Sequence, residues 1–329
     1  MKRLKTLFLV FSFMALMAQF LHAAEVTIIF SGQTHGMLYP CSCPIRQDGG
    51  ISRRATLVKQ LRKKHPALLL LDCGNFTAGG QLDEYTQNTQ LDMQRSQVNY
   101  RALELMQYDA VGVGPDEFNF GRDFFLRHAK KTSPAYLSAN LETDQVIPYL
   151  VKDCQGVKVA LIGLTGVSAS QKAEGLKISQ PEMVGQLVAR LKNEGAQAVI
   201  LLSTLGEKED LKLISKVKGV DVILVGDNPQ KNEALDKVDE TFLLRPAWQG
   251  RKLRKLTFKI EGGKLTNCKV DEFALSDELS NDPEISSILP RCFSDVDCKE
   301  GESAGSCQNP GLLNAACSFV KPNKINLNL

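Results

Sequence analysis

Apolar residues along this chain fall into two alternating patterns. Short, mostly apolar runs at 26–30, 67–71, 110–113, 157–164, 198–202 and 220–225 lack regular polar alternation, which suits strands covered on both faces. Between them, apolar positions recur at helical spacing. Val98, Ala102, Leu105 and Met106 share one stripe, and Met183, Leu187, Val188 and Leu191 share another. Such alternation predicts a largely parallel sheet with right-handed helical crossovers. From 241 to 273 the pattern becomes two-fold and is broken by Gly250 and by Gly262-Gly263, which predicts an antiparallel finish.

The two ends depart from this pattern. Lys2, Arg3 and Lys5 precede an apolar run over 7–16 and small residues at Ala23 and Ala24, the layout of a cleavable secretory leader over residues 1–24. A secreted or periplasmic protein is expected, with no membrane span, because no later apolar run is long enough. Residues 25–289 hold the α/β domain. Residues 290–329 form a tail with little apolar material and four cysteines, Cys292, Cys298, Cys307 and Cys317. Disulfides are the expected substitute for a core there, in any of three connectivities.

The net charge of +3 is spread over scattered basic and acidic residues, which excludes nucleic acid as the main partner. Arg53, Arg54, Lys59, Arg62, Lys63 and Lys64 interleave with Leu57, Val58 and Leu61 and read as the solvated face of a helix. After leader removal His35, His65 and His128 remain, and the last two read as surface residues. Nine cysteines in an exported chain leave at least one thiol unpaired or joined to something else. Cys154 beside a turn and Cys268 in an antiparallel strand could be buried fillers or disulfide partners.

Ligands of open α/β sheets gather at the carboxyl ends of the strands, and there the chain carries its recognisable blocks. They are Ser31-Gly32-Gln33-Thr34-His35-Gly36, Gly49-Gly50-Ile51-Ser52-Arg53, Leu71-Asp72-Cys73-Gly74-Asn75, Gly114-Pro115-Asp116-Glu117-Phe118-Asn119-Phe120-Gly121, Leu202-Ser203-Thr204-Leu205-Gly206 and Val225-Gly226-Asp227-Asn228-Pro229. In order and spacing they resemble the bacterial 5'-nucleotidase and UDP-sugar hydrolase family of metallophosphoesterases, over about residues 25–275. The resemblance implies a four-layer α/β/β/α sandwich and a two-metal site that clamps a phosphate and activates water. It also implies a separate substrate domain for which this length has no counterpart.

The ligands that the resemblance implies are largely replaced. Gln33 stands for a carboxylate, His35 is kept, and Asn75 stands for the bridging Asp. Pro115 stands for a metal-binding Asn, Asp116 for the catalytic His and Asn119 for its partnering Asp. Thr204 stands for a ligand His, and Asp227 and Pro229 stand for two more. Two-metal hydrolysis is therefore not expected. A rebuilt site, with Asp72, Asp116, Glu117 and Asp227 around one hard cation, is the reading that would keep a phosphohydrolase.

The loop after His35 carries Cys41-Ser42-Cys43. A Cys-x-Cys disulfide closes a small strained ring, and strained exposed disulfides are the labile ones. This loop and the Gly-Gly-x-x-Arg-Arg helix start resemble a UshA-like (seleno)protein group, which implies thiol or selenol chemistry. The expected function is thiol–disulfide exchange through Cys41 and Cys43 with an exported protein or a small thiol or disulfide compound. His35 and Arg53 or Arg54 would favour the thiolate. Two readings compete. His35, Cys41, Cys43 and Cys73 have the ligand types for a single zinc or Cu(I) ion, the one cofactor this sequence leaves open. Otherwise the cysteines are structural, on a non-catalytic binding or scaffold protein.

Overall fold

The structure is a computed structural model that describes residues 25–41, 47–86, 89–227 and 234–290. The expected leader, Cys43, Pro229 and the four tail cysteines lie outside the described residues. Twelve strands are described: β1 (Glu25–Ser31), β2 (Leu69–Asp72), β3 (Ala110–Gly112), β4 (Ala135–Leu137), β5 (Tyr149–Cys154), β6 (Val157–Leu164), β7 (Ala198–Ser203), β8 (Val222–Val225), β9 (Leu235–Val238), β10 (Thr241–Leu244), β11 (Lys252–Glu261) and β12 (Lys264–Ala274). The helices that matter below are α1 (Ile51–Lys64), α2 (Thr89–Leu105), α3 (Arg122–Ala129), α4 (Ala169–Lys172), α5 (Val184–Asn193), α6 (Glu207–Lys216) and α7 (Pro283–Ile288).

The strands form two six-stranded sheets, ordered β12-β11-β1-β2-β3-β4 and β5-β6-β7-β8-β10-β9. Each is mixed. Parallel ladders join β1 to β4 in sequence order, and β6, β7, β8 and β10. The edges are antiparallel: β11 on β1, β12 on β11, β5 on β6 and β9 on β10. The expected antiparallel finish is thus only partly realised, since β10 runs parallel to β8.

Side-chain parity divides the core into three layers. Val26, Ile28, Phe30, Leu69 and Leu71 of the first sheet meet Ala198, Ile200, Leu202, Val222 and Leu224 of the second between the sheets. Ile29 and Leu70 point the other way, onto α1, α2 and α3. Val199, Leu201, Ile223 and Val225 meet α5 and α6. The order is helix, sheet, sheet, helix. Each such fully buried aliphatic side chain contributes roughly 1.5–3 kcal/mol.

Two expectations fail at the residue level. Arg54 is buried rather than on the solvated face of α1, because the first turn of that helix enters the molecule at the strand ends. His128 is half-buried rather than on the surface: its ring stacks on Tyr100 at 5.0 Å and its Nδ1 lies 2.8 Å from the Phe124 carbonyl.

Candidate functional site

The loops leaving β1 and β2 run side by side, tied by their own amides. Gln33 N–H donates to the Gly74 carbonyl (2.9 Å), His35 N–H to Asn75 (3.0 Å) and Gly36 N–H to Phe76 (3.1 Å). Gln33 (φ 49°), His35 (φ 46°), Asn75 (φ 57°) and Gln249 (φ 54°) all hold left-handed backbone here, a conformation that non-glycine residues keep only where surrounding contacts enforce it. A Cβ on Gly226 would lie 2.2 Å from the Cys73 carbonyl oxygen, so the loop after β8 meets the loop after β2 only through glycine.

Glu117 supplies much of the enforcement. Its Oε2 accepts from Asn75 N–H (3.0 Å) and Gly114 N–H (2.6 Å), and its Oε1 from Phe76 N–H (2.9 Å). Burial, and then the neighbouring Asp116 charge, push its carboxyl up to about 8 against the pull of those amides. Asn75 is equally committed: its Oδ1 accepts from Asp116 N–H (3.1 Å) and its Nδ2 donates to the Gly226 carbonyl (3.0 Å). Asp72 is fully buried and accepts from Ser31 Oγ (2.6 Å) and Gly74 N–H (2.9 Å).

Asp116 forms the polar centre. One carboxylate oxygen lies 2.7 Å from His35 Nδ1, and the other accepts from Lys172 Nζ at 2.7 Å. The same ammonium donates to Asn119 Oδ1 at 2.7 Å. Burial acts to raise the Asp116 carboxyl, but the His35 hydrogen bond and the Lys172 charge outweigh it and hold it below the usual range. Asp227 is raised, by burial first and then by Asp116. The His35 ring lies 5.0 Å from Trp248, and among the described residues its buried Nε2 has no hydrogen-bond partner. Among the described residues no group of three or more His, Cys, Asp or Glu side chains could hold a metal ion.

No protein-family profile matches the chain. Individual proteins do. It is 29% identical over 226 residues to a snake venom 5'-nucleotidase of Crotalus adamanteus, covering 61% of this chain and 36% of the relative. It is 29% identical over 196 residues to protein UshA of Yersinia enterocolitica, covering 57% and 32%. A 5'-nucleotidase precursor from Thermus thermophilus superposes with a TM-score of 0.68 at 21% identity, over 80% of this chain and 57% of that one. In sequence the chain is thus similar to 5'-nucleotidases and to UshA. It shares the α/β fold of the superposed structure, and it spans about a third of the length of these two curated relatives.

Within the structure the sequence-based candidates separate into two groups. His35, Asn75, Asp116, Asn119 and Asp227 come together in the crevice, and Thr204 joins its wall. The Thr204 hydroxyl donates to the Leu164 carbonyl (3.1 Å) and accepts from Gly166 N–H (3.2 Å). Pro115 starts the short turn that carries Asp116. Cys73 goes elsewhere. It continues the parity of Leu69 and Leu71 into the layer between the sheets, where burial pushes its thiol well above its usual range.

Cys41 is buried in a hairpin that springs directly from His35. Met37 N–H donates to Thr34, Ile51 N–H to Leu38 (2.8 Å) and Cys41 N–H to Asp48 (2.9 Å), while Pro40 pairs with Gly49. Three residues escaped sequence reasoning: Lys172, Trp248, and Arg54 as a buried group. Arg54 Nη2 approaches Thr34 Oγ1 (3.4 Å) and the Gly250 carbonyl (3.5 Å). Lys172 follows β6, so the strand-end rule pointed to its segment, but a lone lysine in a polar stretch gives no further signal.

Proposed function

We propose that this chain is an exported protein in which the phosphoesterase crevice no longer supports two-metal hydrolysis and the chemistry is thiol–disulfide exchange at Cys41 and Cys43. The observation that carries the first half is the Lys172 ammonium on Asp116 and Asn119. A fixed cation already neutralises the crevice's central carboxylate, and two dications held a few ångströms apart need a shared anionic ligand. Asn75 stands in that place as a neutral amide whose two ends are bound to backbone. The residues present do not fit a metal pair.

The second half rests on the hairpin after His35. Its base is fixed on both sides by backbone hydrogen bonds, which presents the Cys41 end of the Cys-x-Cys unit as a rigid platform. In the exchange, one loop thiolate attacks a disulfide of a protein or small compound, forming a mixed disulfide and releasing one partner thiolate. The second loop thiolate then attacks its neighbour, closing Cys41–Cys43 and releasing the other. The partner gains two electrons and two protons, and the loop is oxidised.

Replacing Cys41 and Cys43 together by Ser should abolish exchange with a small aromatic disulfide while the protein stays folded; unchanged exchange refutes the proposal. The relatives' names favour a second reading, a phosphohydrolase with a rebuilt site around Asp116 and Asp227. Release of phosphate from a nucleotide by metal-loaded protein would establish it.

A further inference from the structure

A second cavity lies at the opposite end of the second sheet from the crevice. The crevice gathers the carboxyl ends of the strands. This cavity is lined instead by Val220 and Asp221, just before β8, and by Thr241, the first residue of β10. It holds about 370 Å³, a size suited to a small molecule. Both sheets contribute to it. The end of α6 and the loop into β8 supply Ile214, Val217 and Val220, and the β11–β12 hairpin of the first sheet brings Lys264 across.

The floor is apolar. Ile214, Val217 and Val220 are buried in the outer core layer, with Val238 packed against them, and Thr241 Oγ1 donates to the Val220 carbonyl at 2.8 Å. The lining carries six charged side chains, three basic and three acidic, and four of them cancel in pairs. Lys192 Nζ lies 2.6 Å from Asp221 Oδ2, an oxygen that also accepts from Val199 N–H at 2.7 Å. Lys264 Nζ lies 3.1 Å from Glu240 Oε1. That leaves the Lys218 ammonium in the loop before β8 and the Asp239 carboxylate in the β9–β10 turn. Among the described residues neither of these side chains has a hydrogen bond or an ion pair. A plain anion entering here would meet Asp239, and a plain cation would meet Lys218. A molecule carrying both charges beside an apolar body satisfies both and covers the floor.

We propose that this cavity binds a free apolar amino acid. Its carboxylate pairs with Lys218, its ammonium with Asp239, and its aliphatic side chain lies on Ile214, Val217, Val220 and Val238. The Lys192–Asp221 and Lys264–Glu240 pairs hold the rim in place, which lowers the cost of ordering it around a ligand. A single exposed ion pair is worth little in water. Apolar burial therefore supplies most of the affinity, and the two opposite charges supply the selectivity. No group of the crevice or of the cysteine hairpin takes part, so the site stands independently of the exchange reading.

The test is isothermal calorimetry on the full chain with three probes of one carbon skeleton: L-leucine, isocaproate, which lacks the ammonium, and isoamylamine, which lacks the carboxylate. Leucine should bind saturably and about tenfold more tightly than either analogue, the worth of one charge-assisted hydrogen bond. Lys218→Met and Asp239→Asn change exposed side chains, so both variants should fold, and each should weaken leucine about tenfold. Absence of saturation up to about 10 mM leucine overturns the proposal. An analogue that binds as tightly as leucine overturns it by removing the need for both charges. Leucine binding that neither substitution changes overturns it by placing the ligand elsewhere.

Discussion

The amide at position 75 is held by its polarity. Asn75 Nδ2 faces the Gly226 carbonyl and its Oδ1 faces the Asp116 amide, so an acid there would set a carboxylate oxygen against a carbonyl. Asn75→Asp should therefore lower stability at pH 7 by about 1–3 kcal/mol in urea unfolding, with no gain of metal-dependent phosphate release. Asp210 in α6 gives the converse case. Fully buried, it accepts from Ser203 Oγ at 2.5 Å, and its other oxygen has no partner among the described residues. Burial pushes its carboxyl up to about 7. The folded protein thus holds this proton more tightly than the unfolded chain, so the stability it lends is complete below about pH 4 and is lost as pH rises through 7. Asp210→Asn should flatten that slope and make the protein more stable than wild type at pH 8, as read from thermal midpoints across pH. Sequence reasoning picked positions that lie together in one crevice because block order locates strand ends. It misplaced Cys73, although parity alone carried the answer: Leu69, Leu71 and Cys73 share one face, and that face is the interior.

Among the elements, α2 acts mainly as a clamp on the segment after β2. Arg95 is fully buried, with Nη2 2.5 Å from Asp83 Oδ2 and 2.6 Å from Asp92 Oδ1, and Nη1 3.3 Å from the Gly36 carbonyl. Asp83 in turn accepts from Gly79 N–H at 2.8 Å. One guanidinium therefore fixes residues 79–83 against both α2 and the loop that carries His35. Arg95→Met leaves two buried carboxylates without their cation and should cost about 3–5 kcal/mol. Because the cluster is shielded from solvent, added salt should barely change that loss in urea titrations. Hydrogen exchange should quicken first at 76–86. This clamp was invisible beforehand, since an acid and an arginine three positions apart on a helix read as an ordinary surface pair. Strands β5 and β9 escaped for a related reason. They lie at sheet edges and carry exposed charged residues, so they lack the apolar runs that revealed the central strands.

At the scale of the whole molecule, the question is what holds the strand ends of two facing sheets together. In a working two-metal enzyme the ions would do so, and their loss would register in global stability. A ligand at one hundred times its dissociation constant stabilises the folded state by about 2.7 kcal/mol, which for a domain of this size moves the midpoint by several degrees. Here the chain's own groups span the same ground. Asn75 ties the β2 loop to Gly226 after β8, Glu117 ties the β2 and β3 loops, and Lys172 ties the segment after β6 to Asp116 and Asn119. Thermal midpoints measured in EDTA and in excess Mn²⁺ or Zn²⁺ should therefore agree within about 1 °C, and Lys172→Met should lower both equally. A rise of 5 °C or more with metal would mean that ions displace the ammonium and complete the site, which would favour the phosphohydrolase over the exchange protein. The two functions thus differ in what closes the crevice, a side chain of this chain or a cation from solution, and a melting curve distinguishes them before any substrate is known.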